Sequence, residues 1–451
     1  MTQGPIARLL VRFAVPLLIG NVFQMLYNTV DALIVGNFVG KEALAAVGST
    51  SSIINMLVMF FNGVSIGAGV IISQHYGAKD DSRLHRSVET TMALTGIAAV
   101  LFTVIGIAGV PFMLRLMATP DDVLPEAMRY LRIYFAGLSG LLVYNMGSGI
   151  LRAVGDTKRP LYFLFLSSAM NVILDLLFVV IWHMGIAGVG LATVFSQLIS
   201  AVLILRLLIT SKENYRFVLK DTAIDKRLLL QILEIGLPTG FQSMLTQFSN
   251  VFAQSYINCF GSDVMAGWSC FNKLDQIVFL PINSMGQSTT TFVGQNCGAG
   301  LWRRVKDGTR ISLLLSMGVT AVFSIILFIL ARPLTAVFTR DAAVISYCVQ
   351  FINLTLIFRQ FNCVNHILAG TIRGRKDSKG PMVIMIFSFV VVRQVYLYIS
   401  TRFTQNIYVA GMGWPVGWIV SSLLMMVYYY IKYIKPGKGK ECLNHPTKQF
   451  H

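Results

Sequence analysis

The sequence predicts an all-α integral membrane fold of twelve transmembrane helices, arranged as two parallel six-helix repeats around a central cavity. Three observations carry this. The first is composition: of 451 residues, 55% are hydrophobic and only 13% are charged, with a mean hydropathy of +0.66. A water-soluble chain carries about 25% charged residues, and a single core stops growing beyond ~250–300 residues. That much apolar surface has to face lipid, and the same figures exclude disordered, collagen-like and disulfide-scaffold classes. The second is the spacing of apolar runs, twelve of which are long enough to cross a bilayer at ~20 residues each. The third is that the two halves repeat.

With breakers and charges as boundaries, the spans fall at 10–36, 46–76, 87–114, 124–151, 160–183 and 187–210 in the first half. In the second they fall at 230–259, 264–296, 310–331, 342–371, 381–402 and 408–434. Several exceed a straight crossing, which predicts tilt or extension beyond the hydrocarbon. The polar segment 211–229, with Lys212, Arg216, Lys220, Lys226 and Arg227, divides them six and six. The predicted domains are therefore a bundle over 1–210, a linker over 211–229, a bundle over 230–434 and a tail over 435–451.

The repeat offset is close to 221. Gln74-His75-Tyr76-Gly77-Ala78 returns as Gln295-Asn296-Cys297-Gly298-Ala299, and Arg152, Asp156, Lys158 and Pro160 return as Arg373, Asp377, Lys379 and Pro381. Gly40 answers to Gly261 and, with one residue of slip, Pro16 to Pro238. Because six is even, the second copy enters from the same side as the first, so the bundles are parallel repeats with a cavity expected between them.

The formal net charge of +17 does not signal nucleic acid, because the basic residues sit in short loops between apolar runs. With an inside N-terminus, 27 Lys and Arg lie on the inner side and 7 on the outer. The positive-inside rule then places both termini in the cytoplasm of a cell (inner) membrane. No small-residue cleavage site follows a short apolar stretch at the N-terminus, so the first run is expected to be a retained helix. The cysteines (Cys259, Cys270, Cys297, Cys348, Cys363, Cys442) lack metal-ligand spacing, and the five in apolar runs read as small buried hydrophobes.

Within the spans, ionisable residues are costly, ~2.5–3.5 kcal/mol for a carboxylate at the centre on insertion scales, and so mark function. Asp31 ends a stripe Asn21, Gln24, Asn28, Asp31 whose steps of three and four put all four on one helical face. Asn171 and Asp175 share a face of span 5, and Thr193 follows Gly188-x-Gly190 in span 6. At 1.5 Å per residue all lie roughly 8–12 Å below the outer surface. Such a set suits a small hard cation or a shared proton. It also suits a hydrogen-bonded cluster that only locks the bundle. The repeat acts as an internal control: shifted by 221–223, these positions fall on Ala253, Val392, Tyr396 and Val416, so one ion site in the first bundle is the better reading. Lys273, Asp275, Arg359, His366 and Arg393 are further intramembrane charges, Asn362 being a polar neighbour with which the last three could pair. Pro281 is expected to kink span 8.

A set of short segments stands out along the chain: Tyr27-Asn28-Thr29-Val30-Asp31, Gly36-Asn37-Phe38-Val39-Gly40, Ala45-Ala46-Val47-Gly48, Gln74 to Ala78 and Leu151 to Asp156. Asn171-x-x-x-Asp175, Val278-Phe279-Leu280-Pro281 and Val293-Gly294-Gln295-Asn296 complete the set. On these residues the chain resembles the multidrug and toxic compound extrusion (MATE) family. The resemblance implies two six-helix bundles around a V-shaped cavity that opens alternately to each side. It implies export of organic, often cationic, compounds in exchange for H⁺ or Na⁺, with the cation site on Asp31, Asn171, Asp175 and Thr193. Thr246 and Asn362 stand where some branches carry a second acidic pair, a departure resembling the branch named for DNA-damage-inducible protein F.

The expected function is thus a secondary active multidrug antiporter. Gln24, Asn28, Gln242, Thr246, Asn250 and Asp275 are its candidate cavity residues. A monomer in the lipid bilayer is expected, with no cofactor beyond the coupling ion and no nucleic-acid partner. A flippase for a lipid-linked precursor is the alternative, for which the chain offers only Lys273, Arg359 and Arg393 as cavity cations. The glycine- and arginine-rich loop of the major facilitator arrangement is absent, and no intramembrane catalytic set, metal-ligand spacing or phosphate loop points to an enzyme.

Overall fold

The computed structural model describes residues 1–117, 119–219, 223–404 and 406–435. Beyond Lys435, the predicted tail with Cys442 lies outside the described residues, as does Lys220 of the linker. Twelve helical elements follow in order: α1 (Ile6–Val39), α2 (Ala45–Ala78, its helix beginning at Lys41), α3 (Asp81–Leu116) and α4 (Leu124–Ala136 with Leu138–Val154). Next come α5 (Lys158–Ile181), α6 (Gly185–Thr210), α7 (Lys226–Asn258), α8 (Ser262–Gly298) and α9 (Trp302–Ala336). The last are α10 (Ala342–Leu356 with Arg359–Gly374), α11 (Lys379–Phe403) and α12 (Ile407–Ile434). Among the described residues, nine are apolar and long enough to cross a membrane unbroken, and α4 and α10 qualify as bent pairs. The remaining helix, α8, has 37 residues but is interrupted by Asn272, Lys273, Asp275 and Gln276 and is rich in Ser, Thr and Gln in its second half. It runs unbroken through Pro281.

Spans 4 and 10 are each broken by a bend, of 48° and 54°. The first falls at Gly137, where an added Cβ would lie 2.3 Å from both Val194 methyls, so the break lets α6 approach. The second falls 221 residues later, at Phe358, without a glycine.

The repeat is written into the backbone as well. Positive φ occurs at Gly40 and Gly261, at Lys79 and Gly300, and at Gly155 and Lys376, each pair at the same offset. A left-handed residue after a helix end supplies hydrogen bonds to its last carbonyls. The paired aspartates start the next helix: Asp156 Oδ1 accepts from the Lys158 and Arg159 N–H groups at 3.1 and 3.2 Å, and Asp377 Oδ1 from the Gly380 N–H at 3.2 Å.

By proximity the chain divides into two compact units, one of Met1–Met244 with Thr291–Val305, the other of Leu245–Thr290 with the chain from Lys306 on. In the first, glycines let helix backbones touch, as expected where lipid supplies no hydrophobic drive to association. A Cβ on Gly63 would stand 2.4 Å from the Gly240 backbone and one on Gly67 2.5 Å from that of Gly236, so α2 and α7 cross backbone to backbone. Leu131, Phe135, Leu138 and Leu142 of α4 pack with Val110 and Leu114 of α3. In the second unit Trp268 is fully buried, 4.7 Å from the Phe351 ring and 4.3 Å from that of Trp414, and its indole N–H donates to Gln254 Oε1 at 2.8 Å.

Candidate functional site

In the first unit α1 packs along α5, with Phe23 edge-on to Phe165 at 5.0 Å and Gly20 against Leu161 and Leu164. Both predicted acids lie close to places where the α-helix widens into a π-helical turn: Asp31 four residues before Val35–Val39, and Asp175 directly before Leu176–Ile181. Such turns re-aim side chains and recur at functional sites. Gly188 lets α6 meet Phe178 in that turn, its added Cβ falling 3.1 Å from the Phe178 Cβ, and Gly190 lets it meet Ile133.

The structure brings Asp31 and Asp175 within hydrogen-bonding reach of each other. Asp175 is fully buried and Asn171 nearly so, while Asp31 is half-buried. Asp31 Oδ1, both Asp175 oxygens and both amide atoms of Asn171 are buried without a hydrogen-bond partner. Two facing carboxyls hold no donor between them, so a shared proton or a bound cation is what would satisfy them. Thr193 is half-buried, and its hydroxyl donates to the Val189 carbonyl at 3.0 Å, leaving only oxygen lone pairs for an ion.

Sequence reasoning missed Ser168, whose buried Oγ also lacks a partner. It lies three residues before Asn171 and seven before Asp175, a spacing that places it on the same face. Tyr27 and Tyr130, both close to the two acids, were also missed. Among the described residues no three His, Cys, Asp or Glu are placed to hold a metal ion. The set therefore suits a proton or a monovalent cation held by two carboxyls and neutral oxygens.

The six cavity candidates are divided between the units. Gln24 and Asn28 are exposed on α1 and Gln242 is buried on α7, all in the first; Thr246 and Asn250 are half-buried, in the second with Asp275. Asp275 forms an ion pair with Arg359, whose guanidinium also lies 4.9 Å over the Trp418 ring. The sequence left the partner of Arg359 open among polar neighbours such as Asn362, and in the structure that partner is an acid. Arg393 donates to Asn250 and Ser249, His366 stands edge-on to Phe279 at 5.1 Å, and Lys273 lies 5.3 Å over Phe338. Of the cysteines read as buried, Cys348 and Cys363 are so, Cys270 and Cys297 are half-buried, and Cys259 is exposed near the end of α7.

Known proteins share this fold over nearly the whole chain. The chain is 29% identical over 425 residues to the probable multidrug resistance protein YoeA of Bacillus subtilis, covering 92% of each chain. It is 23% identical over 429 residues to the probable multidrug resistance protein NorM of Thermotoga maritima, covering 93% of this chain and 91% of that one. Its fold matches an outward-facing multidrug resistance MATE family transporter of the MOP superfamily with a TM-score of 0.88, at 22% identity and over 95% and 96% of the two chains. It also matches a MOP superfamily transporter from Pyrococcus furiosus, described as having a binding pocket of reverse polarity, with a TM-score of 0.89, at 21% identity and over the same shares. The MatE family model matches twice, over residues 16–177 and again over 238–399, and the chain belongs to that family of multi-pass membrane transporters.

Proposed function

We propose that the protein is a secondary active exporter of organic, often cationic, compounds, driven by H⁺ or Na⁺ entering through the Asp31–Asp175 site. The carrying observation is the run of buried, unpartnered polar atoms on Asp31, Ser168, Asn171 and Asp175. A buried ionised pair without counter-charge is unstable, so loading one cation favours the helix packing that encloses the acids. Release of the ion favours another packing, and a ligand shifts such an equilibrium only by its differential affinity for the two states. The names of the relatives, multidrug resistance proteins, support the substrate class. In this reading the six-helix halves over 1–210 and 230–434 act as lobes joined by the 211–229 linker. Both termini lie in the cytoplasm of the inner membrane, and the monomer is the working unit.

The test is export of a fluorescent organic cation by purified protein in liposomes at clamped potential, with Na⁺ and pH gradients imposed separately. Asp31→Asn and Asp175→Asn are expected to abolish gradient-driven export while leaving folding and expression intact. Full export by both variants would overturn the assignment. The loss of export under only one type of gradient names the ion.

A further inference from the structure

Arg393 is 2% exposed within a membrane-spanning helix, and among the described residues no carboxylate is in ion-pair contact with it. Its Nη1 donates to Asn250 Oδ1 and its Nη2 to Ser249 Oγ, each at 2.7 Å, and the guanidinium lies 5.5 Å over the Trp414 ring. Ser249 is itself engaged, donating to the Phe389 carbonyl at 2.7 Å and accepting from Gln394 at 2.9 Å. All these partners are neutral. A guanidinium carries five N–H groups, and the buried Nε of Arg393 has no partner at all. A full positive charge is thus held out of water with donors to spare, an arrangement that is costly unless an anion completes it.

The repeat sharpens this. Shifted back by 221, Arg393 on α11 falls on Val172 of α5 and Ser249 on α7 falls on Asn28 of α1. The helix pair that holds two acids in the first repeat therefore holds an unpaired cation in the second. Where α1 and α5 need a cation to become neutral, α7 and α11 need an anion. The half-buried side chains of Gln247, Asn250 and Gln394 give this place a polar approach, with the Asn250 amide donating to Gln247 Oε1 at 3.5 Å.

We infer that α11 and the second-unit part of α7, from Leu245 on, bind a monovalent anionic group at Arg393 and Asn250, the guanidinium fork matching a carboxylate. The group is either the carboxylate of a transported amphiphile or free chloride. If the former, the substrate range extends to zwitterionic and anionic amphiphiles, a conclusion that rests on the exporter reading only for the bound molecule's fate. Binding itself is measured without transport.

Purified protein in gluconate buffer would be titrated with octanoate and, separately, with chloride, following tryptophan fluorescence and thermal stability. Trp414, stacked on Arg393, is the reporter, and Trp414→Phe should remove the optical signal while keeping the thermal shift. Asn250→Asp sets a carboxylate beside the guanidinium and should leave the protein at least as stable, yet weaken anion binding by at least about tenfold. Arg393→Gln should do the same, and Arg393→Lys should retain part of the affinity. Saturation by octanoate alone identifies an amphiphile carboxylate, and saturation by chloride identifies a free anion. No saturable response to either from folded protein, or an unchanged response in Asn250→Asp, overturns the inference. Failure of ion-coupled export in liposomes would leave this result standing.

Discussion

The Gln-x-x-Gly-Ala segments, which the ion site does not use, make a quantitative prediction. In the first unit α2 and α8 cross so that a Cβ on Gly77 would fall 1.9 Å from the Gln295 carbonyl oxygen, and one on Gly298 would fall 1.9 Å from that of Gln74. The two contacts are reciprocal and related by the repeat. Cβ contacts below 3.0 Å are essentially never seen, so Gly77→Ala must part the helices by at least about 1.1 Å. The obstructing atom is helical backbone and has no rotamer to escape into. Overpacking of this kind costs about 1–3 kcal/mol, which lowers the population of this packing by about 5–150-fold. Gly298→Ala should act alike, and the double variant should cost less than the sum, because one separation relieves both clashes. Cys297, half-buried beside Gly298, reports the separation through its maleimide alkylation rate once the other cysteines are replaced. The rate should rise several-fold in Gly77→Ala. Gly318→Ala, whose new methyl meets nothing within 4 Å, is the control. If Gly77→Ala alkylates and melts like Gly318→Ala, the crossing is not the constraint described.

Other outcomes follow from single sites. Burial alone would raise the Asp377 carboxyl, but hydrogen bonds from Lys432, Tyr428 and the Gly380 N–H hold it below its ordinary range. Its contribution to stability is therefore present above the unfolded value of about 3.9 and is lost as pH falls through the lower folded one. Asp377→Asn should lower the melting temperature at pH 7 and flatten its dependence below pH 4. Ser168→Ala removes a buried hydroxyl without a partner and should stabilise the ion-free protein by ~1 kcal/mol. The same variant should raise the coupling-ion concentration needed for half-maximal export, and no change in that concentration would remove Ser168 from the site. Trp268→Ala empties the centre of the second unit and should cost ~3–5 kcal/mol in chemical unfolding of the purified protein.

Much of the fold was legible because the bilayer leaves few solutions for a chain this apolar. Only helices satisfy their own backbone in lipid, so counting apolar runs amounts to counting elements. The α8 helix was found despite its polar residues because Gly261 and Gly298 mark its ends as Gly40 and Gly77 mark those of α2. The bends in α4 and α10 were not legible. Gly137 is an ordinary helix-interior glycine until Val194 is known to press against it, and Phe358 gives no local signal at all. In the site, Asp31, Asn171 and Asp175 were readable from helical phase and from the price of charge in lipid. Ser168 shares that phase but is a neutral residue common in membrane helices, so its missing partner shows only in three dimensions. The partner of Arg359 was not legible for a similar reason, since Asp275 is distant in sequence.

The two repeats diverge in a pattern that itself argues for where the chemistry lies. Three left-handed positions after helix ends, Gly40/Gly261, Lys79/Gly300 and Gly155/Lys376, and one aspartate before a helix start, Asp156/Asp377, are kept in both copies, and each satisfies backbone groups that a helix end leaves open. Gly155 and Lys376 differ in side chain yet share the conformation, so the requirement is on the backbone rather than on the residue type. Inside the helices no such requirement applies, and there α1 and α5 carry Asp31 and Asp175 where α7 and α11 carry Ala253 and Tyr396, with Arg393 a turn away. A cluster needed only to hold a six-helix bundle together would have been needed twice. Opposite charge on equivalent helix pairs is instead what two different ligands would demand of one scaffold, and the Asn250→Asp and Asp31→Asn variants test the two halves of that demand separately.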